Sequence, residues 1–528
     1  MAKIEKASER STNVLASEPR GCGGSAVGST PHDLKGKTAR GALVSTITQG
    51  AIFFLRTGSM VVLARLLTPA DFGIVGMVTA CTGFLEMFRD MGLSVATIQR
   101  ASITHAQTSM LFWVNLAAGG ILAALCAATA PVLTRFYHEP RLFWPTIALG
   151  AGFIFNGAAV QHRAILAREM RFAALALIEI VSVVVSVAVG IVMAVAGQRY
   201  WALVGMYVSV PILGLLGVWA VGGWVPGLPQ RGAGVRAMLR YGGTLTLKNL
   251  VMYLALNTDK VLLGRFWGAE ALGIYGRAYQ LISQPTQNLT STIGQVAVPA
   301  LSRLQNDPER LRSYFLKGYG LFLSLILPIT MSCALFSEDI IMVFLGPKWG
   351  AAVPLFRLLA PTVLTLALVN PLAWLLLSTG HPGRSLRIAS ATAPVVIAGY
   401  VAGLGAGPSG VAAGFSVTTF LLVVPVILWS TRGTPVTAVD ILKEVLRPFL
   451  SILAGASVTL AVWSSIKMFG QPLVRLTFAS IIFFGVYAFL LCFVMGQKNL
   501  YVSLLREMGI WPLAKARRRR ESSQHSDA

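Results

Sequence analysis

Arg277, Gln280, Gln284, Asn288, Ser291 and Gln295 interrupt an otherwise apolar stretch at steps of three, four, four, three and four residues. At about 100° per residue of a helix, they fall within an arc of roughly 80° and form one polar stripe. Two chemistries fit that stripe. One is hydrogen bonding to neighbouring helices; the other is a wall of amide donors and acceptors facing a hydrated cavity, suited to hydroxyl-rich ligands such as sugars. The preceding apolar run carries Thr246, Asn249, Tyr253, Asn257 and Lys260 on a similar arc, with Lys248 and Asp259 beside it. Two hundred residues earlier Thr46, Gln49 and Thr57 repeat that polar face, and Arg56 stands next to it. A guanidinium there is either matched by a carboxylate or available to an anionic ligand group. Glu86, Arg89 and Asp90 form a further cluster, in which Glu86 and Arg89 can pair at i, i+3. They read as a self-neutralised group or as a proton- or cation-coupling carboxylate.

The candidate site therefore comprises Arg56, Lys260 and Arg277 for an anion such as diphosphate. Gln49, Asn249, Asn257, Gln280, Gln284 and Asn288 are the candidates for hydroxyl groups. Asp259, Glu86, Arg89 and Asp90 are the candidates for charge balance or ion coupling. No HExxH, GxSxG or Walker A motif is present; Lys35-Gly36-Lys37-Thr38 has Pro31 where a phosphate loop needs its first Gly. The five cysteines are scattered singly, so no metal site, cofactor or catalytic residue is expected.

The elements that must position these groups are transmembrane. Of 528 residues 55% are hydrophobic and only 12% charged, and apolar stretches of about 20 residues recur, the length that crosses a hydrocarbon core. Fourteen spans are predicted, at about 41–65, 71–97, 107–133, 142–163, 172–196, 200–222, 243–265, 270–299, 314–345, 352–379, 386–405, 409–431, 447–468 and 473–496. The fold class is an all-α polytopic membrane protein. Its domains are a disordered basic cytoplasmic head (1–40), a six-helix lobe (41–222), an amphipathic connector (223–242), a second six-helix lobe (243–431), an additional helix pair (447–496) and a basic tail (497–528).

Residues 61–76 (VVLARLLTPADFGIVG) and 261–276 (VLLGRFWGAEALGIYG) share an Arg eight residues before a Gly-Ile-x-Gly. The offset spans six helices, an even number, so the lobes are parallel repeats, and a central cleft lined chiefly by the first two helices of each is expected. The helix-two equivalents of the Gln/Asn stripe are apolar (Met77, Ala80, Phe84, Phe88, Met91, Val95), which assigns the polar wall mainly to the second lobe. The net charge of +23 follows topology: head and tail hold seven basic residues each, and Arg163, Arg168 and Arg171 mark one inner junction. The opposite loops and their edges hold few, Arg65 and Arg265 among them. Both termini are thus expected in the cytoplasm, with no nucleic-acid partner.

LARLLTPADFGIVGM (63–77), FRDMGLSVATIQR (88–100), HRAILAREMRF (162–172), NTDKVLLGRFWGAEALGIYGRAYQL (257–281) and VPALSRLQNDPERLR (298–312) resemble the Wzx-type polysaccharide exporters. These belong to the multidrug/oligosaccharidyl-lipid/polysaccharide exporter superfamily, and the similarity points to its colanic acid and succinoglycan branch. The resemblance implies a V-shaped, MATE-like fold in the bacterial inner membrane. It also implies an undecaprenyl-diphosphate-linked oligosaccharide as cargo, with a polysaccharide polymerase and glycosyltransferases as possible partners. A lipid II flippase, a small-molecule antiporter and a membrane polymerase or ligase are the alternatives. The outer loops, mostly under about ten residues, speak against the last.

Overall fold

A computed structural model of the chain describes residues 31–89, 97, 103–229, 236–468 and 470–496, with the side chains of 31–43, 45, 46, 236–252, 466 and 467 left aside. Among the described residues ten stretches are long and apolar enough to cross a membrane, and one of these, Pro382–Thr431, covers two helices. The helices are α1 (Pro31–Leu66), α2 (Pro69–Glu86), α3 (His105–Tyr137), α4 (Phe143–Arg168), α5 (Phe172–Val195) and α6 (Tyr200–Gly222) in the first lobe. The second lobe begins with one continuous stretch, Arg236–Ser302, which is two helices joined at Gly268: α7 (236–267) and α8 (269–302). It continues with α9 (Pro308–Leu335), α10 (Ser337–Phe344), α11 (Ala352–Ser378), α12 (Pro382–Gly403) and α13 (Gly407–Thr431). The trailing elements are α14 (Ala438–Ala461), the short α15 (Trp463–Lys467) and α16 (Pro472–Phe489). With α9 and α10 counted as one crossing, the fourteen expected spans and two six-helix lobes are present, with no strand among the described residues.

The helix boundaries differ from the sequence expectation in four places. The first helix starts at Pro31 rather than near 41, inside the expected disordered head. Helix two does not run to 97: it stops at Glu86, with Met87 as C-cap, and passes into a turn. The ninth span breaks at Phe336 into α9 and α10. The second half of the expected connector is the first turns of α7; residues 230–235 and the tail beyond 496 lie outside the described residues.

The two copies of the doubled stretch form equivalent hinges by different local chemistry. In the first copy Thr68 and Asp71 make a reciprocal capping box with Pro69 at the helix start, which ends α1 and begins α2. The second copy has Gly268 at the Thr68 position, with φ at +78°, a conformation that costs a glycine little. The hinges lie at the same end of the bundle, here called the hinge end. There α2 and α8 touch backbone to backbone: a Cβ on Gly73 would strike the Ala269 carbonyl, and one on Gly273 would strike the Pro69 carbonyl. Gly73 and Gly273, like Pro69 and Ala269, are 200 residues apart, so the contact obeys the repeat.

Among the described residues two large cores hold the helices together, with smaller clusters around Leu166 and Ile388. One joins both lobes at the hinge end, through Leu63, Phe72, Ile74 and Met77 of the first lobe and Leu263, Tyr275, Trp349 and Phe356 of the second. The other lies in the second lobe and includes the trailing pair, with Phe322, Phe336, Phe483 and Tyr487. Ion pairs fix that pair at both ends. Arg312 Nε and Nη2 donate to Asp440 at 3.0 and 2.6 Å, and Arg475 Nε and Nη2 donate to Asp339 at 3.0 and 2.5 Å.

Candidate functional site

A cavity of about 530 Å³ opens between the lobes. It lies mostly inside the first lobe, with α8 as its far wall. Arg56, Ser59, Met60 and Leu63 come from α1; Phe72, Thr79, Thr82 and Glu86 come from α2; and Arg89 comes from the turn that follows. Asn156 and Arg163 of α4, Glu179, Ser182 and Ser186 of α5, and Tyr207 of α6 complete the first-lobe surface. Arg277, Gln280 and Gln284 face them from α8. A side compartment of about 370 Å³ shares Arg89, Asn156, Arg163 and Glu179 and extends between α4, α5 and α6.

The guanidinium groups differ in their engagement. Arg89 donates to Glu86 at 2.7 Å, so this pair is neutral as a unit. Arg277 lies 4.7 Å from the Phe72 ring centroid, a cation–π contact made from one lobe to the other, and sits beside Tyr207. Arg56 has no ion-pair partner within 4 Å among the described residues; Arg163 and Glu179 make no ion pair that close but attract one another within the cavity. A lone charge inside a membrane helix costs about 2.5–3.5 kcal/mol on insertion scales, and facing a water-filled cavity relieves that cost. With 1.5 Å of rise per residue, Arg277 and Arg56 lie roughly 12–15 Å from the hinge end of their helices, and Arg163 roughly 30 Å. Positive charge therefore runs along the length of the cavity.

Of the residues singled out in the sequence, Arg56, Glu86, Arg89, Arg277, Gln280 and Gln284 meet at this cavity. Lys260, expected as an anion contact, does not line it: its Nζ donates to Asn257 Oδ1 at 2.7 Å, while Asn257 Nδ2 donates to the Tyr253 carbonyl at 2.9 Å. The two side chains satisfy one another on α7. Asp259 is also elsewhere, buried in the second lobe, where it accepts from the Tyr275 hydroxyl at 2.8 Å and the Lys260 main-chain N–H at 2.8 Å. Gln49 is exposed on α1 and Asn288 on α8, and neither belongs to the lining. Asn249 and Asp90 fall outside the residues whose side chains are described.

Two sequence expectations about the cleft are thereby corrected. It is not lined alike by the first two helices of each lobe, because among the described residues α7 lends it no side chain. Its polar wall is not mainly in the second lobe, because the α8 stripe faces the cavity only as far as Gln284, and α4 and α5 supply the rest. Asn156 and Arg163 are seven residues apart, and Glu179, Ser182 and Ser186 repeat at i, i+3, i+7 in a strongly apolar helix. That spacing is the signal the sequence offers; reading Arg163 as a topogenic charge at a helix end passes over it.

The packing around the cavity is unequal on its two flanks. On one, Tyr253 of α7 donates to the Ala80 carbonyl at 2.9 Å and fills the space left by Gly83, so α2 and α7 are sealed. On the other, α1 packs against α5 and has no comparable packing with α7 or α8 among the described residues.

Two six-helix lobes in parallel repeat, meeting at one end and enclosing a polar cavity, define a membrane transporter fold. It is the fold of the lipid II flippase MurJ in an inward closed conformation (TM-score 0.67, 12% identity, covering 89% of this chain and 99% of that one). An inward-facing MATE family multidrug transporter shares it as well (TM-score 0.59, 14% identity, 74% of this chain and 97% of that one). The chain belongs to the family described as "Polysaccharide biosynthesis protein", which matches residues 62–354. It is 29% identical over 347 residues to the teichuronic acid biosynthesis protein TuaB of Bacillus subtilis, covering 65% of this chain and 71% of that protein. It is 27% identical over 389 residues to the lipopolysaccharide biosynthesis protein WzxC of Escherichia coli, covering 72% and 78%. The succinoglycan biosynthesis transport protein ExoT of Rhizobium meliloti is 22% identical over 316 residues, covering 60% and 64%.

Proposed function

We infer that this protein is a flippase that moves polyprenyl-diphosphate-linked oligosaccharide units across a bacterial inner membrane, for exopolysaccharide or lipopolysaccharide assembly. The observation that carries this reading is the cavity: guanidinium groups and amides, in a space closed at the hinge end. Its relatives' names place them in cell-surface polysaccharide biosynthesis, and one is called a transport protein. The positive charge of the loops supports cytoplasmic termini, which makes the hinge end the outer face and the cavity inward-open.

In this reading Arg56 and Arg277 hold the diphosphate, at similar depth on facing walls. Arg163 meets it nearer the mouth, so the anion passes between guanidinium groups rather than crossing uncompensated apolar surface. Gln280, Gln284, Asn156, Glu179 and the α5 serines offer hydrogen bonds to sugar hydroxyls. The gap between α1 and α8 leaves a path for the polyprenyl chain to stay in lipid while only the head group enters. Asp259, remote from the cavity, is the candidate for ion coupling, and the Glu86–Arg89 pair for charge balance. A drug site would be mostly apolar with a few polar groups, unlike this lining.

The test is the transbilayer distribution of the lipid-linked oligosaccharide after deletion of the gene. Accumulation on the cytoplasmic face is expected. An unchanged distribution would sink the flippase reading.

A further inference from the structure

The most characteristic feature of the doubled stretch is its arginine, and the cavity uses neither copy. Arg65 ends α1 and Arg265 lies near the end of α7, 200 residues on. Each reaches the opposite lobe. Arg65 Nη2 donates to the Val343 carbonyl at 2.7 Å, in the last turn of α10. Arg265 Nη1 donates to His138 Nδ1 at 2.6 Å and lies over the Phe136 ring at 5.6 Å, at the end of α3. A guanidinium only donates, so the Nδ1 it meets carries no proton.

The two acceptors are themselves equivalent. α3 is the third helix of the first lobe, and α9 with α10 is the third crossing of the second. Each arginine therefore binds the hinge-end terminus of the other lobe's third helix, where unpaired carbonyls carry partial negative charge. Neighbouring contacts follow the same plan. Trp349 Nε1 donates to the Ala64 carbonyl at 2.9 Å, and Lys348 Nζ donates to the Arg65 carbonyl at 3.3 Å. On the other side the Tyr137 ring fills the space over Gly264. The glycine contact of α2 with α8 is main chain against main chain, with the Arg277–Phe72 cation–π contact as a side-chain tie between the same two helices.

We propose that Arg65 and Arg265 are a matched pair of latches that hold the outer gate closed, one on each side of the pseudo-two-fold axis. Both bonds cross from lobe to lobe, so both break when the lobes part at the hinge end, while bonds within each lobe survive. Symmetry places the two equidistant from the axis, so a rocking motion loads them together. This inference rests on the flippase reading for its orientation, but its test requires no substrate.

Leu67 is 3% exposed at the hinge between the lobes. In the full-length protein carrying Leu67→Cys, in intact cells, a membrane-impermeant maleimide added outside should label slowly. Arg65→Gln and Arg265→Gln should each raise the labelling rate roughly fivefold, the effect of losing about 1 kcal/mol of a partly exposed ion–dipole contact, and together by more. His138→Gly keeps the backbone conformation that this residue adopts at φ +54° and removes the acceptor, so it should match Arg265→Gln. Arg65→Lys should recover part of the closed behaviour. Unchanged labelling of the double variant from both sides of the membrane, in intact cells and in inverted vesicles, with the protein at normal membrane levels, overturns the latch. Enhanced labelling only from the cytoplasmic side supports the latch and overturns the orientation. Substrate translocation does not enter this measurement, so its failure is separable from failure of the flippase reading.

Discussion

The charged side chains at the cavity are engaged in different ways. Arg56 and Arg163 face it without a close ion-pair partner among the described residues, whereas Arg89 is neutralised by Glu86. Alanine at Arg56 or Arg277 should therefore lower translocation at least tenfold with the protein still inserted, measured by surface arrival of the oligosaccharide. Alanine at Arg89 should cost less, because a paired guanidinium contributes less field. Translocation unaffected in both Arg56→Ala and Arg277→Ala would show these cations to be structural. Lys260→Ala should leave translocation within about twofold of normal, since the ammonium is engaged by Asn257. Glu139, in the turn after α3, accepts from Arg141 Nε and Nη2 at 2.8 and 2.7 Å, which holds its carboxyl below the usual range. A depressed folded-state value means the contribution is complete above the unfolded value of about 4.5 and is lost as pH falls through the folded one. Half of the Arg141 side chain is exposed, so the acid loss should be about 0.5 kcal/mol, visible as a shallower acid limb in thermal unfolding of Glu139→Gln.

Among the elements, α2 and α8 matter most, because their glycines set how close the lobes come. Gly73→Ala or Gly273→Ala would raise intrinsic helix propensity by roughly 1 kcal/mol, yet each places a methyl group on a carbonyl of the other lobe. The steric term wins, since overpacking costs about 1–3 kcal/mol and the atom struck is main chain. Both variants should unfold at lower temperature, as read by thermal denaturation in detergent; no change would mean the two helices can part without loss. The trailing pair shows how an element can be present in the sequence while its attachment is not. Two apolar spans after residue 431 were legible from hydropathy. That Asp440 would meet Arg312, 128 residues earlier, was not, because pairing at that distance depends on how α9 and α14 pack.

At the scale of the whole molecule, the repeat is legible in the sequence alone. The Arg/Gly-Ile-x-Gly spacing and the even helix count dictate two parallel lobes, because a helix can cross a bilayer only by satisfying its own backbone, and each crossing reverses direction. Membrane-spanning character, helix number and the polar face of α8 followed from composition and periodicity, which are local properties of the chain. Tertiary structure decided which polar faces share one space. The α8 stripe reads as uniform, yet only Arg277, Gln280 and Gln284 of it reach the cavity, while on α7 Asn257 and Lys260 engage one another and Tyr253 bonds to α2. Asn156, Arg163 and Glu179 join the site from helices whose periodicity is almost wholly apolar. The doubled stretch signalled a duplication, but that its glycines and arginines bind each copy to the opposite lobe depends on the angle at which the lobes meet. Interlobe geometry is set by packing between residues two hundred positions apart, and no local pattern encodes it.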